Sequence, residues 1–293
     1  MTTASHDGPI SPLTGLGVAI LAVSTSAILV RWSNAPSLVK AFYRVVFTVA
    51  LLAPVALVRH RDAVASISRR DLWAASGAGV ALAAHFASWF ESLNHTTVAA
   101  SVTLVQAQPL FVAVGAWAFL DERVSRRTTL GIGVALAGMV LMSLSDLLTA
   151  SGAPRPLFGN ALAIVGAVTA AAYVLTGRSV RSRVALVPYV VVVYSVCALA
   201  LLSVAVARGD PLSGYPPREW LLFFGMAVGP GIFGHTVINW ALAHLESSVV
   251  SVSLLGEPVG STILALFLLG EIPTLPTVLG GAIVLGGIYI TAS

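Results

Sequence analysis

The sequence predicts an all-α integral membrane protein with ten transmembrane helices, arranged as two inverted five-helix repeats. Three observations predict this fold class. The chain is 57% hydrophobic, only 10% of its residues are charged, and residues 93–138 recur at 242–287. Soluble domains carry about 25% charged residues, so this chain cannot present an ordinary aqueous surface.

The internal repeat is visible as identical residues at one constant offset. The matching pairs are Leu93 with Leu242, His95 with His244, Pro109 with Pro258, Leu120 with Leu269, Glu122 with Glu271, Gly131 with Gly280, and Gly138 with Gly287. A constant offset across so many pairs indicates duplication of one unit. Because the unit is hydrophobic throughout, the duplication points toward membrane transport.

Charged residues divide the chain into ten apolar stretches, which we number as predicted spans in chain order. Each stretch has the roughly 20 residues that cross a hydrocarbon core as a helix. Continuous apolar runs favour helices over the short alternating segments of a β-barrel. The predicted spans are 13–31, 38–58, 72–93, 97–120, 128–146, 157–177, 184–207, 219–243, 247–269 and 273–292.

The spans divide the chain into four parts. We expect a cytoplasmic N-terminal tail at 1–12, the first five-helix repeat at 13–146, a linker at 147–156 and the second five-helix repeat at 157–293. The first thirty residues contain no Lys or Arg. The first apolar segment therefore lacks the basic start of a cleaved signal peptide, and we interpret it as a retained span.

The basic residues predict the orientation in the membrane. Most of the sixteen Lys and Arg residues lie between spans 2 and 3, 4 and 5, or 6 and 7. The positive-inside rule then places both termini in the cytoplasm, in a multi-pass protein of the inner (plasma) membrane. Five spans per repeat invert the second copy relative to the first, and such repeats suit alternating access. The net charge of +4 thus reflects topology, and we expect no nucleic-acid partner.

Several classes of protein are disfavoured by missing motifs. Cys197 is the single cysteine, so the sequence has neither an internal disulfide nor a cysteine cluster for a metal. The sequence contains no phosphate-binding loop for ATP and no metalloprotease or serine-hydrolase motif. We therefore predict no enzymatic activity, no catalytic residue, no metal site and no cofactor.

Two motifs recur in both halves: a proline in the fourth helix with a closing Leu-x-Glu, then a glycine-rich fifth helix. They appear as Pro109 with Leu120-Asp121-Glu122 and as Pro258 with Leu269-Gly270-Glu271. With this pattern the chain resembles the EamA family of the drug/metabolite transporter superfamily, and within it YddG-type exporters of aromatic amino acids. The resemblance implies that helices 3, 4, 8 and 9 move around a central cavity also lined by helices 1 and 6. Helices 5 and 10 would brace the bundle.

The resemblance and the composition together predict a secondary active transporter. We expect export of small amphipathic metabolites from the cytoplasm, with aromatic amino acids and related compounds first, and a lipid bilayer as the surroundings. The alternatives are carriers of the same fold for non-aromatic amino acids, flat cationic drugs or nucleotide sugars. A carrier of phosphorylated substrates should place several Lys or Arg residues deep in its cavity. The chain offers one Lys, Lys40 near an interface, and one arginine well inside a span, Arg44.

Glu257 is the first candidate site residue. It lies about ten residues into the ninth span, directly before Pro258, where a carboxylate costs about 2.5 to 3.5 kcal/mol unless it is solvated, paired or protonated. We therefore expect it to face the cavity. It either accepts protons or binds a substrate amine, or it bonds the backbone opened by Pro258. Its counterpart in the first repeat is the neutral Gln108, before Pro109.

The other polar candidates are one arginine and a pair of histidines. Arg44 lies about six residues from the outer end of its span, where it can snorkel to water, pair with a helix end or contact a substrate carboxylate. We favour a structural role. His85 and His235 occupy near-equivalent places in spans 3 and 8, with Trp89 and Asn239 one turn further on. We interpret both histidines first as partners of neighbouring hydroxyls, with proton transfer as the alternative.

Aromatic and small residues complete the candidates. Trp32, Trp73, Trp117 and Trp220 lie at span ends and are typical of interfacial belts. The candidates for the cavity wall are Phe42, Tyr43, Phe86, Trp89, Tyr173 and Trp240. Pro109, Pro258 and Pro230 are helix-break or hinge candidates, although the glycines around Pro230 favour close packing over a hinge. Glycines of spans 5 and 10 are interpreted as packing faces: Gly131, Gly133, Gly138, Gly280, Gly281, Gly286 and Gly287.

Overall fold

The computed structural model describes residues 11–120, 125–148, 153–181, 183–238, 254 and 256–292. Within these residues the chain is helical and contains no strand, which confirms the predicted all-α class. A π-helical segment, Ala227–Thr236, continues helix α11. The α-helices are α1 Pro12–Ser24, α2 Ser26–Trp32, α3 Ser37–Arg59, α4 Arg61–Ala65, α5 Arg69–Ser92, α6 Val98–Val105, α7 Gln108–Leu120, α8 Arg126–Leu148, α9 Pro156–Arg181, α10 Leu186–Arg208, α11 Pro217–Met226, α12 Gly256–Leu269 and α13 Leu275–Ala292.

Several helical stretches have the length and hydropathy of membrane spans. Four are both long and apolar enough: Leu13–Trp32, Ser37–Val55, Pro156–Arg181 and Leu186–Arg208. Three shorter apolar stretches are Val98–Val112, Gly256–Leu269 and Leu275–Ile290. These helices indicate a multi-pass membrane protein. The number of ten spans stays a prediction.

Two predicted spans are interrupted: the first where the sequence predicted a continuous helix, and the fourth beside Pro109, a predicted helix-break candidate. The first span divides at Thr25 into α1 and α2, and the Thr25 hydroxyl donates to the Ala22 carbonyl at 2.6 Å. A hydroxyl bonded to the preceding turn competes with the helix and bends it. The fourth span divides at Gln106, between α6 and α7. Pro109 follows in the first turn of α7, and its missing N–H prevents an unbroken helical ladder.

The helix pairings follow the internal repeat. The fifth and tenth spans pair as α8 with α13, and the second and seventh pair as α3 with α10. The third span, α5, packs on the sixth, α9, while the eighth, in its π-helical segment, packs on the first, α1. Exchanging the two repeats leaves the first two pairings unchanged and interchanges the last two. Such a pattern is what a pseudo-twofold relation between the repeats requires.

Glycines set the close approach of α8 and α13. A Cβ at Gly138 would lie 2.7 Å from the Gly280 carbonyl oxygen, and one at Gly287 would lie 2.6 Å from the Gly131 carbonyl oxygen. Backbone atoms cannot move aside as a flexible side chain can, so both positions require glycine. The predicted packing faces are therefore confirmed at Gly138 and Gly287.

The same prediction is wrong at two positions. A Cβ added at Gly133 or at Gly286 would have no heavy atom within 4 Å, so neither glycine lies in the α8–α13 contact. Both glycines point away from the partner helix because a helix turns by about 100° per residue. Spacing alone therefore did not separate contact glycines from outward ones.

At the predicted outer end, a carboxylate of the second repeat holds three helices of the first. The Arg31 guanidinium forms an ion pair with Glu271 and donates to the carbonyl of Leu93 at the end of α5. The other Glu271 oxygen accepts from the Val98 N–H at 2.8 Å, at the start of α6. Negative charge is favourable at a helix N-terminus. Glu271 thus gives the Leu-x-Glu motif a structural role here, whereas its counterpart Glu122 lies outside the described residues.

Two further charged residues near this end are buried. Lys40, expected near an interface, is 2% exposed, and its ammonium donates to the Val30 carbonyl at 3.0 Å. Glu219 is also 2% exposed and accepts from the Asn34 N–H at 2.9 Å and from the Ser33 hydroxyl. Buried charged side chains therefore hold the turn between the first and second spans through hydrogen bonds, which the hydropathy pattern could not show.

The predicted inner end has a different ion pair. Arg183, which precedes α10, donates to the Asp71 carboxylate in the first turn of α5 through Nη2 at 2.7 Å and Nε at 3.1 Å. The Ser68 hydroxyl donates to the same carboxylate at 2.7 Å. Hydrogen bonds from Arg183 and then Ser68 hold the pKa of Asp71 below its ordinary value.

Candidate functional site

A small cavity lies between the two repeats. Its volume is about 20 Å³, room for about one water molecule, whereas small-molecule sites measure roughly 300 Å³ or more. The described residues leave too little room there for a metabolite, so the cavity must widen for one to bind. The first repeat contributes Arg44, Val45, Thr48 and Phe86, and the second contributes Tyr194, Gly231 and His235.

Arg44 is the charged residue of this lining. Its side chain is buried, with the residue 2% exposed, so the prediction that it can snorkel to water is wrong. Nη1 donates to the Ser26 hydroxyl at 3.1 Å, at the first residue of α2. The guanidinium carbon lies 4.6 Å from the ring centroid of Phe86 and 5.7 Å from that of Phe90. Arg44 thus combines a contact to the break in the first span with cation–π contacts.

His235 reaches the cavity from the π-helical segment. Pro230 lies inside this segment, where its missing N–H removes a helical hydrogen bond. A Cβ at Gly234 would lie 2.5 Å from a methyl carbon of Val23, so α1 packs closely against this segment. The expected close packing is confirmed at Gly234. π-helical insertions occur frequently at functional sites, and this one directs His235 toward Arg44.

His85 lies at the contact of α5 and α9 and is not among the residues that line the cavity. Nδ1 lies 2.9 Å from the Gly166 carbonyl oxygen. Because a carbonyl only accepts, Nδ1 carries the proton. The ring stacks on Trp89, with centroids 5.9 Å apart and planes 21° apart. The partner of His85 is a backbone carbonyl instead of the hydroxyl that we expected.

Glu257 meets Gln106 at the interface between the repeats. Glu257 lies in the first turn of α12, and its Oε2 accepts from Gln106 Nε2 at 2.5 Å. Gln106 lies at the break in the fourth span, two residues before Gln108, which is half-buried. In the described part of the chain the Glu257 carboxylate bonds no backbone group opened by Pro258. The Glu257 backbone carbonyl lies 3.5 Å from the Ser24 hydroxyl, two residues before the Ser26 that bonds Arg44, and in the described part of the chain Glu257 and Arg44 form no ion pair within 4 Å.

The remaining aromatic candidates lie elsewhere. The Tyr43 hydroxyl donates to the Leu212 carbonyl at 2.5 Å, and its ring stacks on Phe223 at 5.0 Å. Phe42 packs on Tyr43 at 4.9 Å. The structure therefore places Tyr43 and Phe42 in an aromatic cluster near the loop between α10 and α11 and not in the cavity wall.

The structure describes two of the four remaining candidates, Trp89 and Tyr173. Trp89 is 4% exposed in the core beside His85, and its Nε1 has no hydrogen-bond partner among the described residues. Tyr173 of α9 is half-buried and packs against the same core. Asn239 and Trp240 lie outside the described residues.

Four polar residues of the site were not chosen from the sequence: Ser26, Thr48, Gln106 and Tyr194. Gln106 was missed because the repeat offset aligns Gln108, and not Gln106, with Glu257. Ser26 follows Ser24 and Thr25, and this run of three hydroxyl residues could have indicated the break in the first span. Thr48 lies one helical turn after Arg44, on the same face of α3. Tyr194 carried no such signal.

Comparison with known proteins agrees with this architecture. Residues 12–144 and 157–293 each match the EamA-like transporter family. A relative from Archaeoglobus fulgidus, described as an uncharacterized transporter, is 29% identical over 267 residues, which are 85% of this chain and 92% of the relative. The uncharacterized transporter YetK of Bacillus subtilis is 24% identical over 208 residues, 68% of this chain and 61% of that protein.

A crystal structure shares the fold. It has a TM-score of 0.63 and 21% sequence identity, and the match covers 96% of each chain. Two family matches, one per repeat, span nearly the whole sequence, and the relatives are transporters. The chain therefore belongs to the EamA-like transporter family, as a multi-pass membrane transporter and not an enzyme.

Proposed function

We propose that this transporter is a secondary active exporter of small amphipathic metabolites, with aromatic amino acids and related flat compounds as its preferred substrates. It works by alternating access across the inner membrane, with both termini in the cytoplasm. The observation that carries the proposal is the cavity between the repeats, which combines a buried cation with aromatic rings.

The lining of the cavity supports substrates that are both polar and aromatic. Phe86 and Tyr194 provide rings, and Arg44 provides charge. Stacking on a ring gains about 0.5 to 1.5 kcal/mol beyond simple burial, which corresponds to roughly a two- to tenfold preference for Phe or Trp over Ala. Arg44 is the one Lys or Arg in the lining among the described residues. Phosphorylated substrates, which favour several cationic partners, are correspondingly disfavoured.

The arrangement of the repeats supports alternating access. Both repeats line the cavity, and their helix pairings interchange when the repeats are exchanged. Related halves can swap conformations and so turn an inward opening into an outward one. The Arg31–Glu271 ion pair closes the predicted outer end, and the Asp71–Arg183 pair joins helices at the predicted inner end. In this proposal the two ends open in turn.

A flux assay tests the proposal. Purified protein is reconstituted into liposomes, and initial uptake of labelled Phe, Trp, Ala and Asp is compared with that of protein-free vesicles. We expect saturable flux of Phe and Trp and weaker flux of Ala and Asp. Equal flux of Phe, Ala and Asp would contradict the aromatic preference. Flux of nucleotide sugars alone would contradict export of amino acids altogether.

A further inference from the structure

Arg44 is a buried cation without a carboxylate partner among the described residues. Its one hydrogen bond there goes to the neutral hydroxyl of Ser26. A guanidinium carries five N–H donors in a planar fork, so most of this donor capacity is unused by the described protein. A buried charge is costly unless an opposite charge compensates it. Among the described residues, no carboxylate compensates this charge at ion-pair distance.

Two other arginines of the bundle differ in this respect. Arg31 pairs with Glu271, and Arg183 pairs with Asp71. Both of these pairs join helix ends, where an ion pair fixes the packing. Arg44 instead lies in the cavity, against rings and a hydroxyl. Its charge therefore does not form an ion pair that joins two helix ends.

The surroundings of Arg44 fit an incoming carboxylate attached to a ring. The face of Phe86 covers one side of the guanidinium at 4.6 Å, and Tyr194 and His235 line the same cavity. A carboxylate can accept two parallel N–H bonds from a guanidinium. Phe86 lies beside that position and can contact the apolar part of the same molecule. The cavity must widen between α3 and the π-helical segment for this binding.

Glu257 supplies the opposite charge nearby. Its backbone carbonyl lies 3.5 Å from the Ser24 hydroxyl, two residues before the Ser26 that bonds Arg44, and its carboxylate accepts from Gln106. A zwitterion can lie between these charges with its carboxylate toward Arg44 and its ammonium toward Glu257. A substrate with only an ammonium group would meet the unpaired guanidinium and be repelled.

We infer that Arg44 binds the carboxylate of the transported substrate, so that the site selects carboxylates with an aromatic side chain over aromatic amines. This inference rests on the proposed function and narrows it. We therefore expect poor transport of flat cationic drugs, which were alternative substrates in the sequence analysis.

The test compares three compounds that share one ring: phenylalanine, 3-phenylpropionate, which lacks the amine, and phenethylamine, which lacks the carboxylate. Initial flux of each is measured for the parent, Arg44→Gln, Arg44→Lys and the control Arg208→Gln. Arg208 is exposed at the end of α10 and does not line the cavity. Flux is normalised to monodisperse protein.

We expect the parent to carry phenylalanine at least about tenfold faster than phenethylamine, since the amine cannot form the charge-assisted bidentate pair. Arg44→Gln should lose about tenfold or more of the phenylalanine and phenylpropionate flux, while its phenethylamine flux should stay the same or rise, because the repelling guanidinium is gone. Arg44→Lys keeps the positive charge but lacks the planar pair of guanidinium N–H donors, so it should keep part of the phenylalanine flux at a raised KM. Arg208→Gln should match the parent.

Two results would overturn the inference: parent-like phenylalanine flux in Arg44→Gln, or an equal loss for all three compounds, which indicates a structural role. If Arg44→Gln does not fold, the KM of Arg44→Lys decides, and an unchanged KM refutes the inference. If the parent carries no compound above protein-free vesicles, the proposed function fails by itself. Calorimetric binding of phenylalanine then decides the role of Arg44: binding lost in the variant upholds it, and no binding to the parent refutes it.

Discussion

The side-chain amide of Gln106 donates a hydrogen bond to the Glu257 carboxylate, with 2.5 Å between Nε2 and Oε2. Gln106 lies at the break in the fourth span, and Glu257 lies in the first turn of α12. The interrupted helix of one repeat therefore meets the start of a helix of the other. Burying two polar side chains as a hydrogen-bonded pair costs less free energy than burying either one unpaired, because each gives the other a hydrogen-bond partner.

The α8–α13 contact gives a prediction with a matched control. Gly138→Ala places a Cβ 2.7 Å from the Gly280 carbonyl oxygen, and overpacking of this kind costs about 1 to 3 kcal/mol. We expect a lower Tm in detergent. Gly133→Ala adds the same methyl group where nothing lies within 4 Å, and should leave the Tm unchanged or slightly raised. Equal Tm values for the two variants would show that this contact does not hold the helices.

The Glu271 carboxylate predicts an effect at the outer end. Glu271→Gln removes the ion pair with Arg31 but keeps an oxygen for the Val98 N–H. Hydrogen bonds to charged groups contribute about 1.5 to 3 kcal/mol, so the Tm should fall by several degrees. Arg208→Gln is the control, because the Arg208 side chain is 61% exposed and lies 3.9 Å from the Asp210 carboxylate, and ion pairs of exposed side chains contribute about 0 to 1 kcal/mol. An unchanged Tm for Glu271→Gln would refute the role of this carboxylate.

Asp71 predicts a pH dependence of stability. Its folded pKa is below the ordinary value of 3.8 because Arg183 and Ser68 donate to the carboxylate. A lowered folded pKa stabilises the protein above the unfolded pKa, and this contribution is lost as the pH falls through the folded pKa. Asp71→Asn should therefore have a lower Tm than the parent at pH 7 and pH 5, and the difference should shrink below about pH 4. A difference at pH 3 as large as at pH 7 would contradict this account.

The orientation in the membrane is tested by labelling of single cysteines. Cys197 is fully buried, and a Cys197→Ala background removes it. A cysteine at the exposed Ser66 should react only from the cytoplasm, and one at the exposed Ser213 only from outside. Both chain positions lie in connections between helices. Labelling of both from the same side would overturn the inverted arrangement.

Hydropathy and the repeat were sufficient to predict the helical class and the two-repeat architecture, because both depend on averages over many residues. The break at Thr25 was not predicted. It depends on individual hydroxyl groups that bond the preceding turn, and neither proline nor glycine occurs between Val18 and Ser33. Breaks of this kind need atomic contacts to be seen.

The site was predictable only in part. Arg44, Phe86 and His235 were candidates and do line the cavity, whereas Tyr43 does not. Adjacent residues on a helix point about 100° apart, and here Arg44 faces the cavity while the Tyr43 ring stacks on Phe223. Hydropathy averaged over the span does not reveal which of the two faces it; the signal that was missed is the recurrence of Lys40, Arg44 and Thr48 every four residues on one face. Tyr194 likewise differed in no local feature from Tyr189, which the structure places elsewhere in the core.

The junction of Gln106 and Glu257 is tested most directly by initial phenylalanine flux in proteoliposomes, for Glu257→Gln against the parent across pH. The amide keeps the shape and most hydrogen bonding but removes the charge. If Glu257 exchanges protons or binds the substrate amine, flux should fall by about tenfold or more while the protein stays monodisperse, as the loss of a charge-assisted interaction implies. Parent-like flux with an unchanged pH profile would contradict the functional role and leave a structural one.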